Sequence, residues 1–156
     1  MPELNGEFLW PNNYCLGEVE CALGVKLLDR IDQLNQEKRQ RAIGFIDSLS
    51  EFPELKFHCE DSKRHNYHLL AAQMDNGKRD EFIKKMSEEE GVQCVVQYYP
   101  LYRYDLYKKM GQGDANCTNT DYFFDNMVSF PFHHMMTEDD FFYLLEFTKE
   151  VLARLR

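Results

Sequence analysis

Apolar residues recur at spacings of three and four over the first third of the chain. Such spacing places side chains on one face of a helix, and it predicts a long helix over residues 17–50. The apolar face is formed by Val19, Leu23, Leu27, Ile31, Leu34, Ala42, Phe45, Ile46 and Leu49. Between its two halves the charged stretch 36–41 is expected to be solvated, and Gly44 is the expected place for a bend. Phe52-Pro53 ends the helix, because the residue before a proline disfavours helical backbone.

Shorter patterns in the rest of the chain predict strands and further helices. Strands are predicted at residues 55–58, 67–73, 92–98 and 127–130, and helices at 78–89, 101–109, 118–126 and after Thr137. The near-continuous apolar run 67–73 suits a central strand, and with the following helix and the strand 92–98 it is expected to form a β-α-β unit. Thr137 and Asp140 are placed to form a capping box at the start of the last helix.

These elements predict one α+β domain. We expect a small, mostly antiparallel sheet of three to four strands packed with helices, preceded by a long N-terminal helix. Residues 1–16 contain Pro2, Gly6 and Pro11, and they are expected to form a loop or arm. The predicted domain then covers residues 17–156.

Composition narrows the class of partner. Of the 156 residues, 44% are hydrophobic and 14% aromatic, which is enough for a folded core. The formal net charge of −9 argues against nucleic acid and anionic membrane as partners, because both require a basic face. No apolar run approaches the roughly 20 residues of a membrane span. The first residues lack the basic region and apolar core of a signal sequence, so a cytoplasmic protein is expected.

The cysteines indicate a reducing environment. They are Cys15, Cys21, Cys59, Cys94 and Cys117. Their number is odd and no two form a C-x-x-C pair, so free thiols are expected. Cys15 and Cys21 with histidines are the alternative metal ligands, but their spacing fits no zinc pattern, and no metal is expected.

Other candidate motifs do not define a reaction. Gly111-Gln112-Gly113 lacks the context of a phosphate-binding loop and is expected to be an ordinary loop. His133 and His134 are adjacent and point apart, so a packed or rim histidine is expected rather than a chelate. A tyrosine cluster fits either a sugar-binding cleft or packing under a loop. It consists of Tyr98, Tyr99, Tyr102, Tyr104 and Tyr107.

A string near the N-terminus resembles a known family. Residues 13–24, N-Y-C-L-G-E-V-E-C-A-L-G, and residues 27–32, L-L-D-R-I-D, resemble N-Y-R-M-x-E-I-x-A-A-L-G…L-x-x-L-D of the DegT/DnrJ/EryC1/StrS family. Members of this family are pyridoxal-phosphate sugar aminotransferases of fold type I.

Further strings match the family in the same order along the chain. They are Tyr67-His68-Leu69, Arg79-Asp80-Glu81-Phe82, Gln97-Tyr98-Tyr99-Pro100-Leu101-Tyr102, Ser129-Phe130-Pro131-Phe132-His133 and Thr137-Glu138-Asp139-Asp140. The resemblance covers nearly the whole chain from Pro11 onward. It corresponds to the C-terminal, small domain of the family.

The resemblance implies a reaction that this chain alone should not perform. In the complete enzyme, an amino group would move from glutamate to a nucleotide-linked keto-deoxysugar through pyridoxal phosphate. In the family, the Schiff-base lysine and most cofactor contacts belong to the large domain, which is absent here. Because the cofactor requires that lysine, we expect no catalytic residue and no bound cofactor in this chain alone.

The resemblance also implies three site residues. Asn13 matches an asparagine that contacts the cofactor phosphate of the neighbouring subunit, a role that suits an amide donor. Tyr102 and His133 are implied to line the substrate cleft. Cys15 stands where the family usually has arginine, which removes a bidentate donor. Tyr102 stands where the family usually has histidine, and a phenol cannot titrate near neutral pH.

The sequence leaves alternative functions open. The chain is either the small-domain part of such an aminotransferase or a non-catalytic binding or interaction module that retains the fold. An unrelated α+β ligand-binding domain is a third reading. A helix whose partner domain is absent should expose apolar surface, so a homodimer or a large-domain partner chain is expected.

Overall fold

The computed structural model describes residues 16–58 and 65–156. Its elements are α1 (Glu18–Leu28), α2 (Ile31–Ser48), β1 (Lys56–Phe57), β2 (Leu70–Gln73), α3 (Arg79–Glu88), a 3-10 turn (Leu101–Arg103), α4 (Asp105–Lys109), α5 (Thr118–Asn126), β3 (Met127–Phe130) and α6 (Glu138–Leu155). Two compact units are present, Met1–Gln33 and Leu34–Arg156. The predicted domain bounds stay a prediction, and the predicted arm 1–16 lies almost wholly outside the described residues.

The predicted long helix is interrupted at Asp29-Arg30. The amide of Arg30 bonds to the carbonyl of Leu27 at 3.3 Å, an i→i−3 contact in place of the α-helical one. Asp29 at the break pairs through its side chain with Lys26 in the last turn of α1 at 3.3 Å. The bend predicted at Gly44 is wrong, because α2 runs through this glycine without a break.

α1 exposes an apolar surface, and none of its residues is buried. Val19 is 79% exposed, Leu23 60% and Leu28 68%. An apolar surface of this kind on a helix is typical of a contact with another protein element.

The sheet is antiparallel and has the order β1-β2-β3. Leu70 lies opposite Phe130, and Gln73 lies opposite both Met127 and Lys56. The expectation of an α+β fold with a small antiparallel sheet is therefore confirmed. All four residues of β3 are buried.

The predicted strand 92–98 is wrong. Only Val95 pairs with the sheet, through two hydrogen bonds to Ser129 of β3 at 2.8 and 3.0 Å. A tight turn at the start of the segment, where the Cys94 amide bonds to the Val92 carbonyl at 3.1 Å, prevents a continuous ladder. Because the bridge is antiparallel and goes to β3, the predicted β-α-β unit with residues 67–73 is also wrong.

The core of the second unit is centred on aromatic rings from helices and sheet. Phe45 of α2 packs edge-on against Phe130 of β3 at 5.2 Å and against Phe141 of α6 at 6.0 Å. Phe82 of α3 lies 6.0 Å from Phe130. Phe130 therefore joins α2 and α3 to the sheet, and burial of such rings is the main stabilising contribution.

The predicted capping box is present at the start of α6. Thr137 accepts from the Asp140 amide at 3.1 Å, and Asp140 accepts from the Thr137 amide at 2.9 Å. The predicted helix at 118–126 and strand at 127–130 are also confirmed as α5 and β3. None of the helices in the described part of the chain is long and apolar enough to cross a membrane.

Candidate functional site

Two segments carry the predicted site residues that the structure describes. Tyr102 lies in the aromatic segment, residues 98–107, which contacts α5. His133 lies in the histidine turn, residues 131–136, which joins β3 to α6. Asn13 and Cys15 lie outside the described residues, so their predicted roles stay predictions.

Tyr102 is engaged by hydrogen bonds within the protein. Its hydroxyl donates to a carboxylate oxygen of Asp121 in α5, and this hydrogen bond raises the pKa of Tyr102 above its usual range. The guanidinium of Arg103 donates to the same carboxylate, and it also lies 3.4 Å from a carboxylate oxygen of Asp125. The phenol therefore stays protonated at neutral pH, and its proton is committed to Asp121.

Ring packing attaches the rest of the aromatic segment to the same helix. Tyr99 packs edge-on against Phe124 of α5 at 5.4 Å and against Tyr104 at 4.9 Å. Tyr98 is 67% exposed, by contrast. Of the two predicted uses of the tyrosines, packing is observed for Tyr99 and Tyr104. Tyr98 is the most exposed of the five tyrosines.

Arg79 fixes the C-terminal end of α5. This guanidinium donates to the carbonyls of Phe124 at 3.2 Å and Met127 at 3.0 Å. It thereby satisfies groups at the end of α5 and the start of β3 that the helix leaves without partners. Arg79 belongs to a string that matches the family, but this role is not visible in the sequence, because the acceptors lie 45 and 48 residues away.

A second polar cluster at the edge of the sheet was missed by sequence analysis. Asp75 accepts from Tyr122 at 3.0 Å and pairs with Lys56 at 2.5 Å, and these bonds lower the pKa of the carboxyl group. Nearby, His58 Nε2 lies 2.6 Å from the amide oxygen of Gln73. Lys56 and His58 are two residues apart, a spacing that places both on one face of an extended segment, and this was the available signal. These contacts pair surface charges and do not by themselves define a reaction.

His133 lies at the exposed surface of the histidine turn. Its Nδ1 accepts a hydrogen bond from the backbone amide of Met135 at 3.2 Å. His134 is also exposed, so both histidines are at the surface, as the rim interpretation expects. The carboxyl of Asp140 has a lowered pKa, mainly because Thr137 donates to it through hydroxyl and amide, with a smaller contribution from the charge of His133.

The charged stretch 36–41 is not fully solvated, contrary to the prediction. The ammonium of Lys38 lies 5.6 Å from the centre of the Phe132 ring, and burial lowers its pKa. Arg41 reaches the carbonyl of Met136 at 2.6 Å. Long basic side chains can bury their stems along apolar surface while the charged ends find partners. A pattern of charges along the sequence does not reveal this.

The contacts of two described lysines bear on whether the chain could hold pyridoxal phosphate. The cofactor requires a lysine amine that can form a Schiff base, together with donors for its phosphate. The ammonium of Lys56 is paired with Asp75, and that of Lys38 lies against the ring of Phe132. Neither contact suits a Schiff-base lysine. That this chain alone binds no cofactor stays a prediction.

The described part of the chain offers little metal or thiol chemistry. Within it, no group of three histidine, cysteine or acidic side chains could hold a metal ion. Cys21, Cys94 and Cys117 are free thiols. Burial raises the pKa of Cys94 to about 12, so this sulfur stays protonated and unreactive.

Solved structures of sugar aminotransferases share this fold. Helicobacter pylori PseC, an aminotransferase involved in the biosynthesis of pseudoaminic acid, matches 99% of this chain and 43% of its own with a TM-score of 0.79 and 18% identity. S. venezuelae DesV matches 90% of this chain and 38% of its own with a TM-score of 0.78 and 17% identity. The protein thus has the fold found in one part of the sugar aminotransferases.

Sequence comparison identifies the family. The chain belongs to the DegT/DnrJ/EryC1/StrS aminotransferase family, whose model matches residues 6–147. It is 31% identical to the UDP-4-amino-4,6-dideoxy-N-acetyl-beta-L-altrosamine transaminase of Campylobacter jejuni over 145 residues, which are 90% of this chain and 37% of that protein. It is 24% identical over 141 residues to the spore coat polysaccharide biosynthesis protein SpsC of Bacillus subtilis, covering 86% of this chain and 36% of SpsC.

The resemblance found in the sequence is therefore confirmed. The chain spans little more than a third of the length of these two relatives.

Proposed function

We propose that this chain is the small-domain part of a pyridoxal-phosphate nucleotide-sugar aminotransferase. The complete enzyme would transfer an amino group from glutamate to a nucleotide-linked keto-deoxysugar. The observation that carries the proposal is the family match over residues 6–147, together with 31% identity to a transaminase of a UDP-linked sugar. Since the chain spans about 37% of that relative, the cofactor lysine would lie in the large-domain part of the complete enzyme.

The proposed site residues contribute binding rather than proton transfer. The amide of Asn13 would donate to the cofactor phosphate across a subunit boundary. His133 would donate from the rim of the substrate cleft. The Tyr102 hydroxyl donates a hydrogen bond to Asp121. Its oxygen keeps a lone pair that can accept a hydrogen bond from a sugar hydroxyl.

The exposed apolar surface of α1 supports the proposal that the chain associates with another polypeptide. Its leucine and valine side chains are largely exposed, which is unfavourable in water. We propose that a second copy of the chain or a large-domain polypeptide covers this surface. Sedimentation of the chain alone should show self-association, and a monomer at all accessible concentrations would count against a homodimer.

The experiment that tests the function is reconstitution in trans. The chain is mixed with the large-domain portion of the Campylobacter jejuni relative, and transamination of its UDP-sugar substrate is measured with glutamate and pyridoxal phosphate. Activity is expected only in the mixture. Asn13→Ala should weaken cofactor binding about tenfold or more, because a hydrogen bond to a charged group contributes about 1.5–3 kcal/mol.

Asn12→Ala is the matched control, since it removes the same side chain one position earlier and should leave activity unchanged. Equal effects of the two substitutions would contradict the role of Asn13. An inactive mixture in which the two chains nevertheless associate would contradict the proposed function.

A second function is favoured by the contacts of Tyr102. The position that usually carries histidine in the family holds a phenol whose proton is bound to Asp121 and whose pKa is raised. The chain would then be a non-catalytic module that retains the fold. This alternative predicts that the mixture stays inactive while calorimetry of the chain with the UDP-sugar still shows binding.

A further inference from the structure

Basic side chains of α2 hold the histidine turn, residues 131–136. Arg41 donates from Nη1 to the carbonyl oxygen of Met136 at 2.6 Å and from Nη2 to Glu138 Oε1 at 2.6 Å. Lys38 lies over the ring of Phe132 at the other end of the turn. The turn is therefore attached at both ends to a helix that is remote in the sequence.

The contacts of Arg41 differ in strength. Glu138 has a side chain that is 67% exposed, and ion pairs at such positions contribute little because water screens them. The Arg41 side chain is 26% exposed, and its bond to the Met136 carbonyl is charge-assisted and partly buried. The carbonyl contact is therefore the one expected to fix the turn.

Inside the turn, one hydrogen bond sets the form of the imidazole. The amide of Met135 donates to Nδ1 of His133 at 3.2 Å. A nitrogen that accepts a hydrogen bond carries no proton, so in the neutral ring the proton lies on Nε2. Because His133 is exposed while Met136 is buried, the ring presents this N–H at the surface of an anchored turn.

We infer that Arg41 is a positioning residue that fixes the histidine turn so that His133 presents its Nε2–H as a hydrogen-bond donor to a ligand oxygen. By holding the Met136 carbonyl, Arg41 fixes the Met136–Thr137 peptide, two peptide units after the one that carries the Met135 amide, and that amide selects the tautomer. The ligand group is an oxygen acceptor, such as a phosphate or a sugar oxygen. Only this ligand assignment rests on the proposed function; the positioning of the ring does not.

The direct test is nitrogen NMR of the folded chain at a pH where His133 is neutral. In the wild-type chain, the imidazole should show the Nε2–H tautomer and a scalar coupling between the Met135 amide nitrogen and Nδ1. Arg41→Met should abolish the coupling and give a mixture of tautomers. The absence of the coupling in the wild-type chain, or its persistence in folded Arg41→Met, would overturn the inference.

Two further variants keep the test decisive if Arg41→Met does not fold. Arg41→Lys keeps the charge but lacks the forked donor, so the coupling should be reduced. Glu138→Gln removes only the exposed ion pair and should leave the coupling and the tautomer unchanged. A wild-type spectrum for folded Arg41→Lys, or a lost coupling in Glu138→Gln, would contradict the role assigned to the carbonyl contact. Arg30→Met, at an exposed arginine before α2, is the matched control.

The ligand assignment has a separate readout in the reconstituted mixture. His133→Asn should raise the KM for the UDP-sugar more than it lowers kcat, because it removes a binding contact. If Arg41 acts through His133, the double variant with Arg41→Met should have the same KM as His133→Asn alone. Additive effects would overturn the link to the ligand. An inactive mixture with the expected NMR result would contradict the proposed function and not the positioning.

Discussion

The aromatic segment and the histidine turn match the same family but differ in how much of their chemistry is still available. In the aromatic segment, the phenol of Tyr102 donates a hydrogen bond to Asp121, and the guanidinium of Arg103 donates to the same carboxylate. In the histidine turn, the internal bond uses only Nδ1 of His133 and leaves the opposite edge of the ring at the surface. A motif match therefore identifies a position, while the contacts decide which of its atoms can reach a ligand.

β3 connects the two regions, and removing its central ring should affect both. Phe130→Ala leaves a cavity where rings of α2, α3 and β1 meet, and it should lower the free energy of unfolding by about 3–5 kcal/mol. Urea denaturation measures the change, and hydrogen exchange should show faster exchange in both regions. Phe142→Ala, at a ring that is 58% exposed, is the control with little expected effect. Protection lost from only one region would contradict the shared dependence on β3.

Removing a contact of α5 should destabilise the aromatic segment without affecting the histidine turn. Arg79→Met removes the donor to the carbonyls of Phe124 and Met127, and the free energy of unfolding should fall by about 2 kcal/mol. Exchange should become faster in α5 and the aromatic segment, while the histidine turn keeps its protection. Lys84→Met on the same helix, where the lysine makes only an exposed 3.9 Å ion pair, should change little. Equal loss of protection in both regions would show that they are not independent.

Removing the N-cap of α6, the helix that follows the histidine turn, should destabilise the turn. Thr137→Ala removes the N-cap of α6 and should cost about 1 kcal/mol, as measured by urea denaturation. Faster exchange is expected at the turn and the first turn of α6, with the aromatic segment unchanged. Thr118→Ala is the comparison at α5, where the structure shows no capping hydrogen bond from the residue before it.

The capping box also predicts a dependence on pH. Hydrogen bonds from Thr137 lower the pKa of the Asp140 carboxyl in the folded chain. The resulting stabilisation is present above the unfolded pKa of about 3.9 and is lost as pH falls through the lower folded value. Asp140→Asn should therefore reduce the loss of stability of the wild-type chain between about pH 5 and pH 2. An identical acid profile for both proteins would contradict the origin of the shift.

The smallest effect is expected for the phenol itself. Tyr102→Phe removes the proton donated to Asp121 but leaves Arg103 on the carboxylate, so the fold should be retained. Because the bond to Asp121 raises the pKa of Tyr102, its titration, followed by ultraviolet absorbance, should lie above the usual tyrosine range. This high-pH component should disappear in Tyr102→Phe and persist in Tyr98→Phe. If Tyr102→Phe left the absorbance change above that range unaltered, the phenol of Tyr102 would not be hydrogen-bonded to Asp121.

Sequence patterns located the elements whose ends carry local signals. α5 and β3 were predicted with the observed bounds because Asn126 ends the helix directly before a short apolar run that Pro131 closes. The stretch 92–98 has the composition of a strand, but pairing is a long-range property, and the turn at Cys94 left only Val95 in contact with β3. Composition cannot distinguish a strand from an extended segment that pairs at one residue.

The candidate site was predictable only in part, because local sequence signals mark positions but do not reveal long-range contacts. Tyr102 and His133 were found because a family string marks them, and their exposure and hydrogen bonds came only from the structure. Arg41 was assigned to a solvated stretch, since its acceptor Met136 lies 95 residues away and no spacing rule connects them. Such contacts can be found only when the whole chain is folded.

β3 begins directly after the last residue of α5, and the histidine turn begins directly after β3. The four buried residues of this strand therefore act as a fixed spacer, in which one added or removed residue would turn every following side chain to the opposite face of the sheet. For protein engineering, the two regions must be transplanted as one block. Insertions belong instead in the largely exposed loop at residues 111–116 within that block, where a change of length can be absorbed.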